Sequence, residues 1–246
     1  MKKVFAIVIF LLSFGAFNNA QAQTDEDALR HHNELLKVFF TKFKGQQVSS
    51  QMIVNEINIY ASSNGVPLID ESFQKYITNF MKSVKNPTAF ANKLLAEKKV
   101  SQGYRDFAVY FDKLALESNS SDTDPTIEKL LKVVEVAKQS SKYTTLGETD
   151  KISVDFFLKA VVNSGKFWLS DEANDGSGVN QRCRWGCWIC VILADALGFG
   201  IGLGACTAGG PVTGTICGIG AAAWFSFVAK CCWCGTCPSI TINCFN

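Results

Sequence analysis

The first 182 residues of this 246-residue chain contain no cysteine, and the last 64 contain almost no charge. Histidine is nearly absent, with only His31 and His32. Each scarcity removes a class of chemistry. Without cysteine, the N-terminal stretch can build neither a disulfide nor a thiolate metal site. Neighbouring histidines on a helix point about 100° apart, so His31 and His32 cannot chelate one metal as an i, i+4 pair does. That stretch also lacks a glycine-rich phosphate loop, a nucleophile elbow and an HExxH helix. Paired acids such as Asp122 and Asp124 lie in a Ser/Asn-rich connection, where capping accounts for them better than catalysis. A formal net charge of +2 without a basic cluster argues against a nucleic-acid partner. The reading is a non-enzyme that carries no cofactor and no metal.

What is present divides sharply. All ten cysteines stand at or after Cys183, while that same segment holds only Arg184, Asp195 and Lys230 of the 46 charged residues. The N-terminus opens with Lys2 and Lys3, an apolar run from Val4 to Phe17, and Ala20-Gln21-Ala22. This order reads as a secretory signal peptide over 1–22, with small residues Ala20 and Ala22 at the cleavage positions and Gln23 as the first mature residue. Export places the cysteines in an oxidising compartment, extracellular or in the cell envelope.

Residues 23–168 show helical periodicity throughout, and the expected fold class is all-α. Leu29, His32, Leu35, Leu36, Phe39, Phe40 and Phe43 recur at spacings of three and four, which marks an amphipathic helix within Asp25 to Lys44. Further helices are expected over Ser49 to Ser63 and from Asp70 or Ser72 through Val84. Asn86-Pro87 opens the next, as N-cap and first helical residue. Tyr104 to Glu117 follows, then a helix capped at Asp124-Pro125 and running to Ala137, then Ile152 to Val162 closed by Gly165. The aromatic residues on these faces read as core. The polar, glycine-containing stretch 169–182 reads as an exposed linker where proteolysis would concentrate.

The segment 183–246 is expected to be a small disulfide-rich helical hairpin with an apolar, glycine-rich core. Its arms, about Ile189 to Ala205 and Thr215 to Ala229, flank a turn-forming cluster from Thr207 to Gly214. Each arm is close to the lower limit of about 17 residues for crossing a bilayer. Gly198 and Gly202, and Gly210, Gly214 and Gly218, stand four apart, which lets two helix backbones approach closely. Trp185 and Trp188 precede the apolar run, and Trp224 and Trp233 flank its far end, as interface side chains do. The same pattern fits a water-soluble core held by disulfides, because so small a unit needs staples. Cys183, Cys187, Cys190, Cys206, Cys217, Cys231, Cys232, Cys234, Cys237 and Cys244 are expected to form five bridges. Cys206 with Cys217 is the most local pairing, and connectivity is otherwise open. Two CxxC pairs, at Cys187 and Cys234, admit zinc or redox readings, but 43 residues separate them and export favours disulfides. Asp195 reads as a solvent-facing acid of a stapled domain; in a bilayer it would instead line water or pair with a cation.

On these residues the stretch from Cys183 to Asn246 resembles the halocin-like cysteine-rich bacteriocins, or microhalocins. The likeness lies in a compact, charge-poor peptide at the end of an exported precursor, with cysteines such as Cys206, Cys217, Cys231 and Cys232 among glycine-rich apolar stretches. It implies that an antimicrobial peptide is cut from the precursor and that the N-terminal portion serves as an immunity or leader domain. The expected partner is a target-cell or envelope membrane, with self-association or a contact to the N-terminal domain as further possibilities. A second class of function is an envelope-associated binding protein anchored or oligomerised through the hairpin.

Overall fold

A computed structural model of the chain describes residues 29–63, 71–118, 126–169, 185–205, 211–230 and 241–242, with the backbone alone at helical positions 72–74, 81–82, 185, 200–205 and 211–217 and in the strand 241–242. The signal peptide, with Ala20, Ala22 and Gln23, and the linker from 170 to 182 lie outside the described residues.

The described residues are mostly helical, as the periodicity requires. Helix α1 covers 29–42 and ends where Gly45 adopts φ 74°, a left-handed conformation that glycine accepts without steric cost. Helices α2 (Ser50–Ser63) and α3 (Glu71–Lys82) follow. In α4 (Pro87–Ala96) the side chain of Asn86 accepts from the Ala89 amide at 2.8 Å, the cap expected there. Helix α5 (Gln102–Glu117) starts at a cap the periodicity did not single out, Ser101, whose hydroxyl accepts from the Tyr104 amide and donates to Asp150.

Two expected boundaries are corrected. The cap of α6 (Ile127–Gln139) is Thr126, which accepts from the Lys129 amide, while Asp124 and Pro125 lie outside the described residues. After a short turn, α7 (Ser141–Thr144), helix α8 runs over Glu148–Trp168 and passes straight through Gly165. Gly165 is not a stop signal. A Cβ there would meet the Leu130 side chain at 2.2 Å, so the glycine serves the approach of α6 to α8.

The apolar arms form α9 (Trp185–Ala205) and α10 (Pro211–Val228), each starting four residues earlier than expected, with a π-helical turn at 229–230. They pack closely on each other, and the N-terminal helices close around them. Helices α4, α5 and α8 lie against α9. Phe225 and Phe227 of α10 stand two residues apart and therefore project to opposite sides, about 200° apart. Phe225 meets Phe80 of α3 and Phe90 of α4, with centroids 5.7 and 4.5 Å away, and Phe227 meets Phe39 and Phe40 of α1 and Phe43 just past its end at 5.2 to 5.9 Å. Both rings are fully buried, so α10 is covered on opposite faces. The two compositionally unlike segments thus share one continuous core. A parallel bridge between β1 (Gln47–Val48) and β2 (Thr241–Ile242) adds a second tie between the chain's two halves.

Helices apolar on every side must be hidden in a protein core or in lipid. Here the amphipathic helices provide the cover. Counted over the described side chains, no helix offers a stretch long and apolar enough to cross a membrane.

Candidate functional site

The polar groups within this core converge on Asp195. It sits in the middle of α9 and is fully buried, which corrects the expectation of a solvent-facing acid. An ionised carboxylate survives in such a place only when hydrogen bonds replace its lost hydration. His32 Nε2 of α1 lies 3.0 Å from Oδ1. On the other oxygen, Trp168 Nε1 of α8 donates at 2.9 Å and Ser164 Oγ, one turn earlier on α8, donates as well.

His32 has a polar neighbour at each ring nitrogen. Its Nδ1 lies 3.0 Å from Asn33 Oδ1, and the Asn33 amide nitrogen donates to Asn163 Oδ1 at 2.9 Å. With Nε2 on Asp195, both ring nitrogens are within hydrogen-bond distance of an oxygen. The His32 and Asp195 side chains meet fully inside the protein, with 1% and 0% exposure.

The other buried charge of the hairpin is Lys230, on the π turn that ends α10. Its Nζ lies 3.6 Å from the centroid of Trp188 and 5.7 Å from that of Trp168, within range of a cation–π attraction to both rings. Trp168 thus touches both charged groups of the described hairpin. Ser226, a buried polar side chain of α10, is satisfied locally by the Ala222 and Ala223 carbonyls.

Serine, histidine and aspartate in one cluster invite comparison with a nucleophile triad, and the order rules it out. A triad places imidazole between serine and acid. Here Asp195 stands between Ser164 and His32, and the serine hydroxyl donates its hydrogen bond to the acid rather than to the imidazole. The arrangement holds the Asp195 carboxyl group in place. Among the described residues no group of three His, Cys, Asp or Glu side chains is placed to hold a metal ion.

The residues expected to act at a membrane are distributed as follows. Trp188 and Trp224 are buried, so neither is presented to a membrane in this conformation. Gly198 makes the close approach expected of it, since a Cβ there would lie 2.6 Å from Ala222 Cα of α10. Gly218 packs against Phe199. Trp185, Gly202 and Gly214 lie on the helices with side-chain surroundings outside the described residues, as do Gly210 and Trp233 entirely. Cys187 is disulfide-bonded, whereas Cys190 is a free thiol, so pairing of all ten cysteines does not hold at Cys190. Cys217 lies on α10 with its side chain undescribed, and Cys183, Cys206, Cys231, Cys232, Cys234, Cys237 and Cys244 fall outside the described residues.

Cys190 is half-buried near Asp112 of α5. Burial first, and then the negative charge of Asp112, push its thiol up to about 11 from an ordinary 9.0. Asp112 accepts from Thr88 Oγ1 at 2.8 Å, its Oδ1 meets no donor among the described residues, and burial raises its carboxyl above the usual range. The thiolate is the reacting form, so alkylation of Cys190 by iodoacetamide at pH 8 should run about a hundredfold slower than that of an exposed thiol. Asp112→Asn should speed it; an unchanged rate would show that the acid has no influence. Because the folded thiol value lies above the unfolded one, its contribution to stability is complete below the unfolded value and is lost as pH rises through about 11.

With this geometry in hand the chain was compared with known proteins. No family model, curated protein or solved structure matches it. Its function must be argued from its own residues.

Proposed function

We propose that the chain is an exported bacteriocin-like precursor. Its N-terminal helices hold a membrane-active C-terminal hairpin closed, and scission in the 169–182 linker separates the two roles. The observation that carries this reading is the enclosure of the described side chains of α9 and α10, 186–199 and 218–228, by α1, α3, α4, α5 and α8. An apolar hairpin exported alone would be driven to lipid or to aggregation. Enclosure within its own precursor keeps that surface from water, and the same helices supplied separately would act as an immunity protein. Disulfides among the C-terminal cysteines would keep the hairpin compact after it leaves its cover.

The same enclosure disfavours the anchored envelope protein, because a hairpin buried in its own chain is not available to lipid. Two measurements test the reading. Intact mass spectrometry of exported material should find a C-terminal fragment beginning between Asp171 and Cys183, whereas a single envelope-bound chain beginning at Gln23 would favour the anchored protein. Vesicles loaded with a self-quenching dye should leak on exposure to the oxidised C-terminal fragment freed from its cover and not to the intact chain. Absence of leakage together with absence of growth inhibition over a broad strain panel would end the proposal.

A further inference from the structure

The Asp195 cluster says how the two parts would separate. Most of the contact between the hairpin and its cover is apolar, and apolar contact is non-directional, so lipid tails replace it at little loss. Asp195 is different. Its partners His32, Ser164 and Trp168 all belong to the N-terminal helices, from two elements that converge on one carboxylate. A departing hairpin gives up all three bonds together and carries an acid stripped of these donors into an apolar setting. Lys230 loses the Trp168 ring in the same step but keeps Trp188, which belongs to the hairpin.

We propose that this cluster is a release latch. Cutting the linker leaves the two parts bound as one particle, and the C-terminal part departs only when the bonds from His32, Ser164 and Trp168 to Asp195 are broken. Scission and release are then separate steps, and the N-terminal part recognises its hairpin through an anionic side chain in the middle of a helix. The purpose of the latch rests on the bacteriocin reading, but retention after cutting is a physical property that does not.

The sequence makes the test clean. All ten cysteines lie at or after Cys183, so no disulfide can tie the two parts once the chain is cut before that residue. Full-length mature protein, with its cysteines oxidised, is cut within 171–181 by limited proteolysis, and the products are followed by size-exclusion chromatography with mass detection and by dilution. The wild-type parts should co-elute. Ser164→Ala removes one donor to a charged acceptor and should speed dissociation about ten- to hundredfold, with Asp195→Asn faster still. Circular dichroism before cutting identifies any variant that fails to fold, in which case His32→Gln, which keeps one amide donor, takes its place. Phe90→Leu, which weakens an apolar contact to Phe225 outside the cluster, should change the rate far less. Prompt separation of the wild-type parts would overturn the latch, and so would variants that dissociate no faster than wild type. Leakage and growth inhibition by the released part are scored separately: retention that obeys the cluster with neither effect leaves the latch standing and removes the bacteriocin reading.

Discussion

Replacement of Trp168 by alanine is expected to lower the unfolding free energy by about 5 kcal/mol, a third or more of the roughly 5–15 kcal/mol that stabilises an ordinary domain. The ring is 1% exposed and lies edge-on to Phe40 and Phe167 at 5.4 and 5.0 Å and beside Trp188 at 5.9 Å. Its loss leaves a cavity where α1, α8 and α9 meet, and large aromatic truncations of this kind cost about 3–5 kcal/mol. To this is added a polar loss, because Asp195 gives up the indole donor and Lys230 gives up one of its two rings. Trp168→Phe separates the two contributions: it retains most of the volume and removes the N–H, for an expected loss of about 1–3 kcal/mol. Urea unfolding monitored by far-ultraviolet circular dichroism measures both. A loss below about 2 kcal/mol for Trp168→Ala would mean that the indole does not join the hairpin to its cover.

Gly198→Ala tests the hairpin itself. A mid-helix glycine-to-alanine change normally gains about 1 kcal/mol from backbone propensity. At Gly198 the added methyl would lie 2.6 Å from Ala222 Cα, 3.0 Å from Ala222 N and 3.3 Å from Ala221 C, all backbone atoms of α10 that no rotamer change can move aside. The arms must separate, and overpacking of this kind costs about 1–3 kcal/mol or more. Gly186→Ala is the matched control, because its methyl would find only the Leu116 side chain at 3.5 Å, an ordinary contact. The expected result is opposite signs: Gly198→Ala destabilised by about 2–3 kcal/mol with increased binding of a hydrophobic dye, and Gly186→Ala neutral or more stable. Equal effects at the two glycines would remove the close approach of α9 and α10.

Much of the local structure could be read in advance because its causes are local. Spacings of three and four place Leu36, Phe39 and Phe40 on one face of α1, and those residues are buried. Asn86-Pro87 starts α4 because the side-chain acceptor and the missing proline donor answer a need within one turn. Gly165 misled for the opposite reason: its lack of a side chain serves Leu130 on another helix, and the neighbouring residues hold no trace of that. Asp195 misled in the same way. Its partner His32 is 163 residues away. One signal was present, since His32 occupies an apolar position of α1 between Leu29 and Leu35, and a histidine on a buried face requires a polar partner.

The sequence by itself determined that the chain is helical, that its C-terminal arms are apolar on every side, and that its cysteines and its charges lie in different halves. It could not decide where those arms are hidden, because a helix without a polar face satisfies the same pattern in a protein core and in a bilayer. The tertiary structure decided for a core, with α10 covered on opposite faces through Phe225 and Phe227. It also decided that Asp195 is the meeting point of three helices. Apolar burial depends on area and can be read from periodicity, whereas the pairing of a buried charge depends on which distant donors the fold brings within 3 Å.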